Sequence, residues 1–302
     1  MSSTSCRRLP AVILIMTMVI VLSGTTQARI IHKERSLYST ILLDKQGSTI
    51  CLQFSVRQDQ RNQSCKDLNN PKKLVFGYAR MMLTGLLLQP DPKSILIVGL
   101  GGGTLPTTLN EIYPEARIDV IEIDPAVVTV AETYFDFRSN DQIRTFVQDG
   151  RVFTKRAAMR GEEYDLIMLD AFNGDYIPEH LMTAEYLEET KAILTDDGVV
   201  VANTFAISRL YDHESATYQA VFGDFFNVTS RESANRIIIT TGRPLPSIAQ
   251  LEEVASTLAP RLRAYDVRIQ DFRRQFSTEV DWNTNARPLT DQYAPANLLR
   301  EE

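Results

Sequence analysis

The chain has 302 residues, 44% of them hydrophobic and 23% charged, with a net charge of −6. That length suits one large α/β core, or such a core with a small appended domain, at ordinary globular composition. The absence of any basic run argues against nucleic acid as a partner, and His32, His180 and His213 lack metal-ligand spacing with the cysteines, so no metal is expected.

Residues 1–28 form a separate object. Arg7 and Arg8 precede an apolar run over 9–22, and SGTTQA follows. The run falls short of the ~20 residues that span a bilayer. Its layout is that of a secretory signal peptide, with cleavage near Ala28. An uncleaved membrane anchor is the other reading. Either one places the body outside the cytoplasm, exported or periplasmic; a segment that does not work as a signal would leave it cytoplasmic. Cys6 belongs to this segment. Cys51 and Cys65 are then an even pair that could bridge in an oxidising compartment, or stay as two unpaired thiols.

Residues 29–75 read as a small N-terminal β-hairpin domain. Two short runs, 38–43 and 49–56, flank a Gln46-Gly47-Ser48 turn. Residues 57–70 are polar and loop-like. Apolar positions at helical spacing over 74–88 predict a helix packing onto a sheet. Residues 76–302 then read as a Rossmann-like nucleoside-binding domain. An apolar run, 95–98, meets Gly99, Gly101, Gly102 and Gly103; a helix-compatible stretch, 105–113, and a second apolar run, 118–123, follow. This is strand, tight turn, helix, strand. Glycines let the backbone approach a ligand, and the helix N-terminus aims amides at it. Thr104 stands where a dinucleotide fingerprint has its third glycine, which counts against NAD and favours an S-adenosyl-type nucleoside.

Further on, Asp124 caps a helix that starts at Pro125. Strands are expected at 143–147, 164–169, 199–203 and 235–241, and helices at 151–160, 183–194 and 209–222; 247–258 and 260–275 have helix-like portions. The alternation predicts an α/β fold with a mostly parallel sheet covered on both faces. In such sheets ligands bind beyond the carboxyl ends of the strands. The residues there are Gly99, Gly101, Gly103, Glu122, Asp149, Gly150 and Asp170. Glu122 can take two ribose hydroxyls. Asp149 can accept the adenine amine, with Gly150 leaving room for the ring. Asp170 sits where the reacting carbon would lie and can take a proton from an acceptor amine. Singly, each acid is also explained as a helix cap or a loop residue; together, at successive strand ends, they describe a pocket. Asp175, and His180 as a lesser candidate, would join it if loop 171–180 folds back.

The order G-L-G-G-G-x-L-P, V-I-E-I-D-P, D-G-R, Y-D-L-I-M-L-D resembles the spermidine synthase (polyamine aminopropyltransferase) family, especially its bacterial synthase-like branch, over roughly 36–205. The resemblance implies a methyltransferase-type Rossmann-like fold with a small N-terminal β-domain, a homodimer, a small-molecule amine substrate, and decarboxylated S-adenosylmethionine as aminopropyl donor. It implies Glu122 on the ribose, Asp149 with Gly150 on the adenine, and Asp170 as the base. The chain departs from the family pattern at three places. The glycine run carries no acid, Arg80 in Tyr78-Ala79-Arg80-Met81 replaces a glutamate, and the second acid of the catalytic loop, Asp175, lies further from Asp170. Arg80 in the pocket would repel a diamine, and a like-charge pair at 4 Å costs about 1 kcal/mol in water. The alternatives are a methyltransferase using ordinary S-adenosylmethionine, since an elongation-factor-modifying methyltransferase-like family shares G-L-G-G-G-x-L-P, and an exported, non-catalytic ligand-binding protein of the same fold.

Overall fold

The computed structural model describes residues 29–56, 59–173, 176–231 and 233–293. The expected leader, 1–28, and Asp175 lie outside these. Two sheets organise the chain. The first is antiparallel, in the order β1 (Arg29–Arg35), β2 (Thr40–Gln46), β3 (Thr49–Val56), β4 (Asp59–Asp67). The expected hairpin is its centre, β2–β3, turning at Gly47 with φ +59°. The expected loop over 57–70 is instead largely strand β4. Its polar residues hide the strand signal, but β3 supplies the pairing, and a Cys51–Cys65 disulfide joins the two strands at directly opposed positions.

Helix α1 (Gly77–Met82) gives way to a 3₁₀ stretch over Leu83–Leu87, so the expected single helix is α-helical in its first part and 3₁₀ in its second. The second sheet follows, with β5 (Ser94–Val98), α2 (Thr104–Ile112), β6 (Arg117–Glu122), α3 (Pro125–Tyr134), β7 (Ile143–Val147), α4 (Gly150–Met159), β8 (Tyr164–Leu169), α5 (Ala184–Lys191), β9 (Leu194–Phe205), α6 (Tyr211–Phe222), β10 (Phe226–Ser230), β11 (Ser233–Thr241), α7 (Ile248–Leu262) and β12 (Phe276–Ser277). Its order is β12-β10-β11-β9-β8-β5-β6-β7. The run β9-β8-β5-β6-β7 is parallel, and β11, β10 and β12 are antiparallel. Residues 260–275 are not one helix: α7 ends at Leu262, and Asp266 takes φ +60° after a 3₁₀ turn.

β5 lies between two parallel neighbours, which is why it is a continuous apolar run, buried on both faces. Both faces of the sheet carry a core. A third cluster sets Ile41, Leu43, Ile50 and Leu52 of the small sheet against Val127, Val130 and Phe135 at α3. Burial of each such side chain is worth about 1.5–3 kcal/mol, so α3 fixes the small sheet over the carboxyl ends of β5 and β6. Buried Lys66 reinforces the contact. Its Nζ donates to the Phe135 carbonyl at 3.1 Å and pairs with Asp136.

Candidate active site

A cavity of about 390 Å³ opens between the small sheet and the carboxyl ends of the large one. The loop after β5 forms its floor. Gly99 and Gly101 line it, with φ of +104° and +54°. A Cβ on Gly99 would lie 2.3 Å from the Asp170 carbonyl oxygen, so only glycine lets the two loops touch. Gly103 is not a lining residue, contrary to expectation. It holds φ +71° just before α2, and its missing side chain makes room for Phe137. Its role is to seat the helix.

Glu122, at the tip of β6, lines the cavity. Its Oε2 accepts the Leu100 amide at 3.1 Å and its Oε1 the Asp124 amide at 3.0 Å. Burial raises its carboxyl above the ordinary value, opposed by those two amides. Each oxygen keeps an acceptor position for a ligand hydroxyl. Asp149 caps α4 through Oδ1, which accepts the Val152 amide at 2.9 Å, while its Oδ2 meets His180 Nε2 at 2.7 Å. Burial pushes this carboxyl up, but the Val152 amide and His180 outweigh it and the group sits below its usual range. Asp149 therefore both caps α4 and lines the cavity, and His180 is a cavity residue. Gly150 also lines the cavity, although the space its side chain would take belongs to Val98, 2.6 Å away, rather than to a ligand ring.

Asp170 follows β8 and faces the same cavity. Burial pushes its carboxyl up to about 7, against a hydrogen bond from Asn203 Nδ2 at 2.8 Å. Tyr78 stands nearby. Its phenol donates to the Gln63 carbonyl at 3.1 Å, and burial and the Asp170 charge together hold it protonated. Arg80 does not enter the cavity: its guanidinium donates to the carbonyls of Leu74 and Val75 at 2.7 and 3.2 Å. The expected contact of Arg80 with a cationic acceptor is therefore not formed in the cavity lining, because the α1 entry turns that side chain back on the preceding loop.

The loop after Asp170 is anchored from outside. Phe205 packs between Phe172 and Tyr176, with ring centroids 5.5 and 5.3 Å away, and the Tyr176 hydroxyl donates to Glu214 Oε1 at 2.6 Å. Tyr78, Asn203, Asn235 and the small-sheet residues Gln63 and Ser64 are among the lining residues that motif reasoning missed. The signal for Asn203 was present, a polar residue closing the apolar run VVVA at a strand end. The cavity lining thus includes the carboxylates of Glu122 and Asp149 and, with them, the buried carboxylate of Asp170, the Tyr78 phenol and the rings of Phe172 and Phe205.

Comparisons with known proteins place the chain beside one family. Residues 75–231 match the spermine/spermidine synthase domain. The chain is 47% identical over 277 residues to the polyamine aminopropyltransferase of Vibrio vulnificus, covering 91% of this chain and 92% of that one. Identity to the polyamine aminopropyltransferase of Chromobacterium violaceum is 29%, over 78% of this chain and 86% of that one. Among solved structures, a probable spermidine synthase from Corynebacterium glutamicum superposes with a TM-score of 0.63 at 21% identity, covering 86% of this chain and 99% of that one, a likeness of fold. Human methyltransferase-like protein 13 in complex with SAH superposes with a TM-score of 0.57 at 29% identity, covering 62% of this chain and 93% of that one.

Proposed function

The chain belongs to the spermine/spermidine synthase family, and from that premise we propose a reaction for this cavity. The protein is a spermidine synthase-like transferase that moves an aminopropyl group from decarboxylated S-adenosylmethionine to an amine acceptor. The acceptor nitrogen attacks the propyl carbon bound to sulfur. The carbon–sulfur bond breaks, its electrons stay on sulfur, and methylthioadenosine leaves. The proton that the new secondary amine sheds goes to Asp170.

The single observation that carries this reading is the Asp170 carboxyl, buried, held by Asn203 and pushed up to about 7, in the cavity that Glu122 also lines. A base near 7 can hold a proton in transit, and as an anion it attracts a cationic amine. Glu122 takes the ribose hydroxyls on its remaining acceptor positions. Ile123 and Leu181 offer apolar faces to the purine, and Asp149, with His180 behind it, its exocyclic amine. No carboxylate is needed in the glycine run for nucleoside binding, so the donor's own amine has to find its partner elsewhere.

Two further readings go with this one. Export through residues 1–28, cleaved or anchored, agrees with a disulfide between Cys51 and Cys65; a fusion of residues 1–35 to a periplasm-only reporter would stay dark if the idea is wrong. A homodimer follows from the family resemblance, and a monomeric mass in sedimentation would contradict it.

The test of the reaction is product identity. Purified protein with decarboxylated donor and a panel of amines is expected to release methylthioadenosine, and Asp170→Asn to slow that release by ~10²–10⁴-fold. Formation of S-adenosylhomocysteine from the ordinary donor, with no methylthioadenosine from the decarboxylated one, would replace aminopropyl transfer by methylation.

A further inference from the structure

Asp170 ends a chain of hydrogen bonds that crosses three strands. Its Oδ1 accepts from Asn203 Nδ2 at 2.8 Å, and Asn203 Oδ1 accepts from Asn235 Nδ2 at 2.9 Å. Asn235 Oδ1 accepts from the Ser233 hydroxyl at 2.9 Å, whose oxygen accepts the Asn235 backbone N–H at 3.1 Å. Chemistry sets the direction at the carboxylate end. An ionised carboxylate only accepts, so Asn203 turns its NH₂ toward Asp170. The Ser233 oxygen accepts the Asn235 backbone N–H, which leaves its hydroxyl hydrogen for Asn235 Oδ1. With the carboxylate end fixed, neither amide can flip, alone or with the other, without setting oxygen against oxygen.

We propose that Asn235 and Ser233 are positioning residues for the Asp170 carboxylate: they lock the Asn203 amide with its donor toward that group. The inference rests on Asp170 being the base of the transfer proposed above. Asn203 is 2% exposed, so without Asn235 its Oδ1 is a buried acceptor left unpaired, and the amide is free to turn that oxygen onto the carboxylate. Among the described residues, the groups around Asp170 offer no substitute. From α1 the titratable neighbour is Tyr78, whose hydroxyl is spent on the Gln63 carbonyl. The β5 loop presents Gly99, the following loop presents Phe172 and Asn173, and β9 and β11 present the two amides. Among the described residues, Asn203 is the side chain that favours the ionised form.

The test is Asn235→Leu, read in two ways. One is the pH profile of methylthioadenosine release. The other is the carboxyl ¹³C titration of Asp170 in ligand-free protein, assigned by difference with Asp170→Asn. The Asp170 midpoint is expected to rise by about one pH unit, making release about fivefold slower at pH 7 and nearly normal at pH 9, with the donor KM unchanged. Ser233→Ala is expected to move it the same way by less, and serves in its place if Asn235→Leu does not fold. An unmoved midpoint with a rate lowered equally at every pH would overturn the proposal and leave these residues as structural or acceptor contacts. A shifted midpoint in a protein that releases no methylthioadenosine would uphold the relay and sink the transfer reading instead.

Discussion

Substitution of Gly99 by alanine tests how closely the glycine loop and the loop that carries Asp170 are joined. The new Cβ would lie 2.3 Å from the Asp170 carbonyl oxygen and 2.7 Å from its carbon, at a φ of +104°. Nonbonded heavy atoms want roughly 3.5 Å, so one backbone has to yield by about 1 Å. The left-handed conformation costs an L-residue about 1–2 kcal/mol. Overpacking adds about 1–3 kcal/mol, and the lost freedom of the unfolded chain returns about 0.4–1 kcal/mol. The net is a loss of roughly 1–5 kcal/mol, or several degrees in melting temperature. With Asp170 as the proposed base, moving it by ~1 Å also costs on the order of 10²-fold in rate. Gly161→Ala is the control, because Gly161 has φ +66° and nothing within 4 Å. It is expected to be destabilised by backbone strain only and to keep its activity. Thermal melting and methylthioadenosine release at saturating substrate measure the two effects. Gly99→Ala matching Gly161→Ala in both would refute the reasoning.

Asp170→Asn should make an inactive but more stable protein at alkaline pH. The folded carboxyl titrates at about 7, well above the ~3.9 of an unfolded chain, so the folded state binds this proton more tightly. Stability from this group is greatest below pH ~4, is lost as pH rises to ~7, and is flat above. The variant should therefore gain on the order of 2–4 kcal/mol at pH 8 and nothing near pH 4; identical melting of both proteins at pH 8 would remove burial as the cause of the raised midpoint. The Cys51–Cys65 disulfide closes a loop with a sequence separation of 14. Replacing both cysteines by serine should cost on the order of 3 kcal/mol in urea unfolding, and a reductant should lower the wild-type midpoint similarly while leaving the double variant unmoved.

The β5–glycine–α2–β6 unit was legible because its signals are local: a short apolar run, glycines, a helix-compatible stretch, a second run ending in Glu122. Asp124 and Asp149 as helix caps, and Asp170 at a strand end, were legible for the same reason. What was not legible depends on partners distant in sequence. β4 is too polar to announce itself and exists because β3 pairs with it. Arg80 was read by its charge, but its direction is set by the carbonyls of Leu74 and Val75. Gly103 has the look of a ligand glycine, yet Phe137, 34 positions on, explains it. His180 read only as a lesser candidate, because nothing near it in sequence reveals Asp149. Asn203 and Asn235 carry no motif, and only the antiparallel pairing of β9 with β11 brings them into hydrogen-bond range.

The adenosyl-binding assignment underlies every step above, and calorimetry with methylthioadenosine on wild type and Glu122→Ala tests it most directly. Two charge-assisted bonds to the ribose, at about 1.5–3 kcal/mol each, predict binding at least ~100-fold weaker in the variant. Equal affinity in the two proteins, or no heat from wild type even at millimolar ligand, would contradict the account.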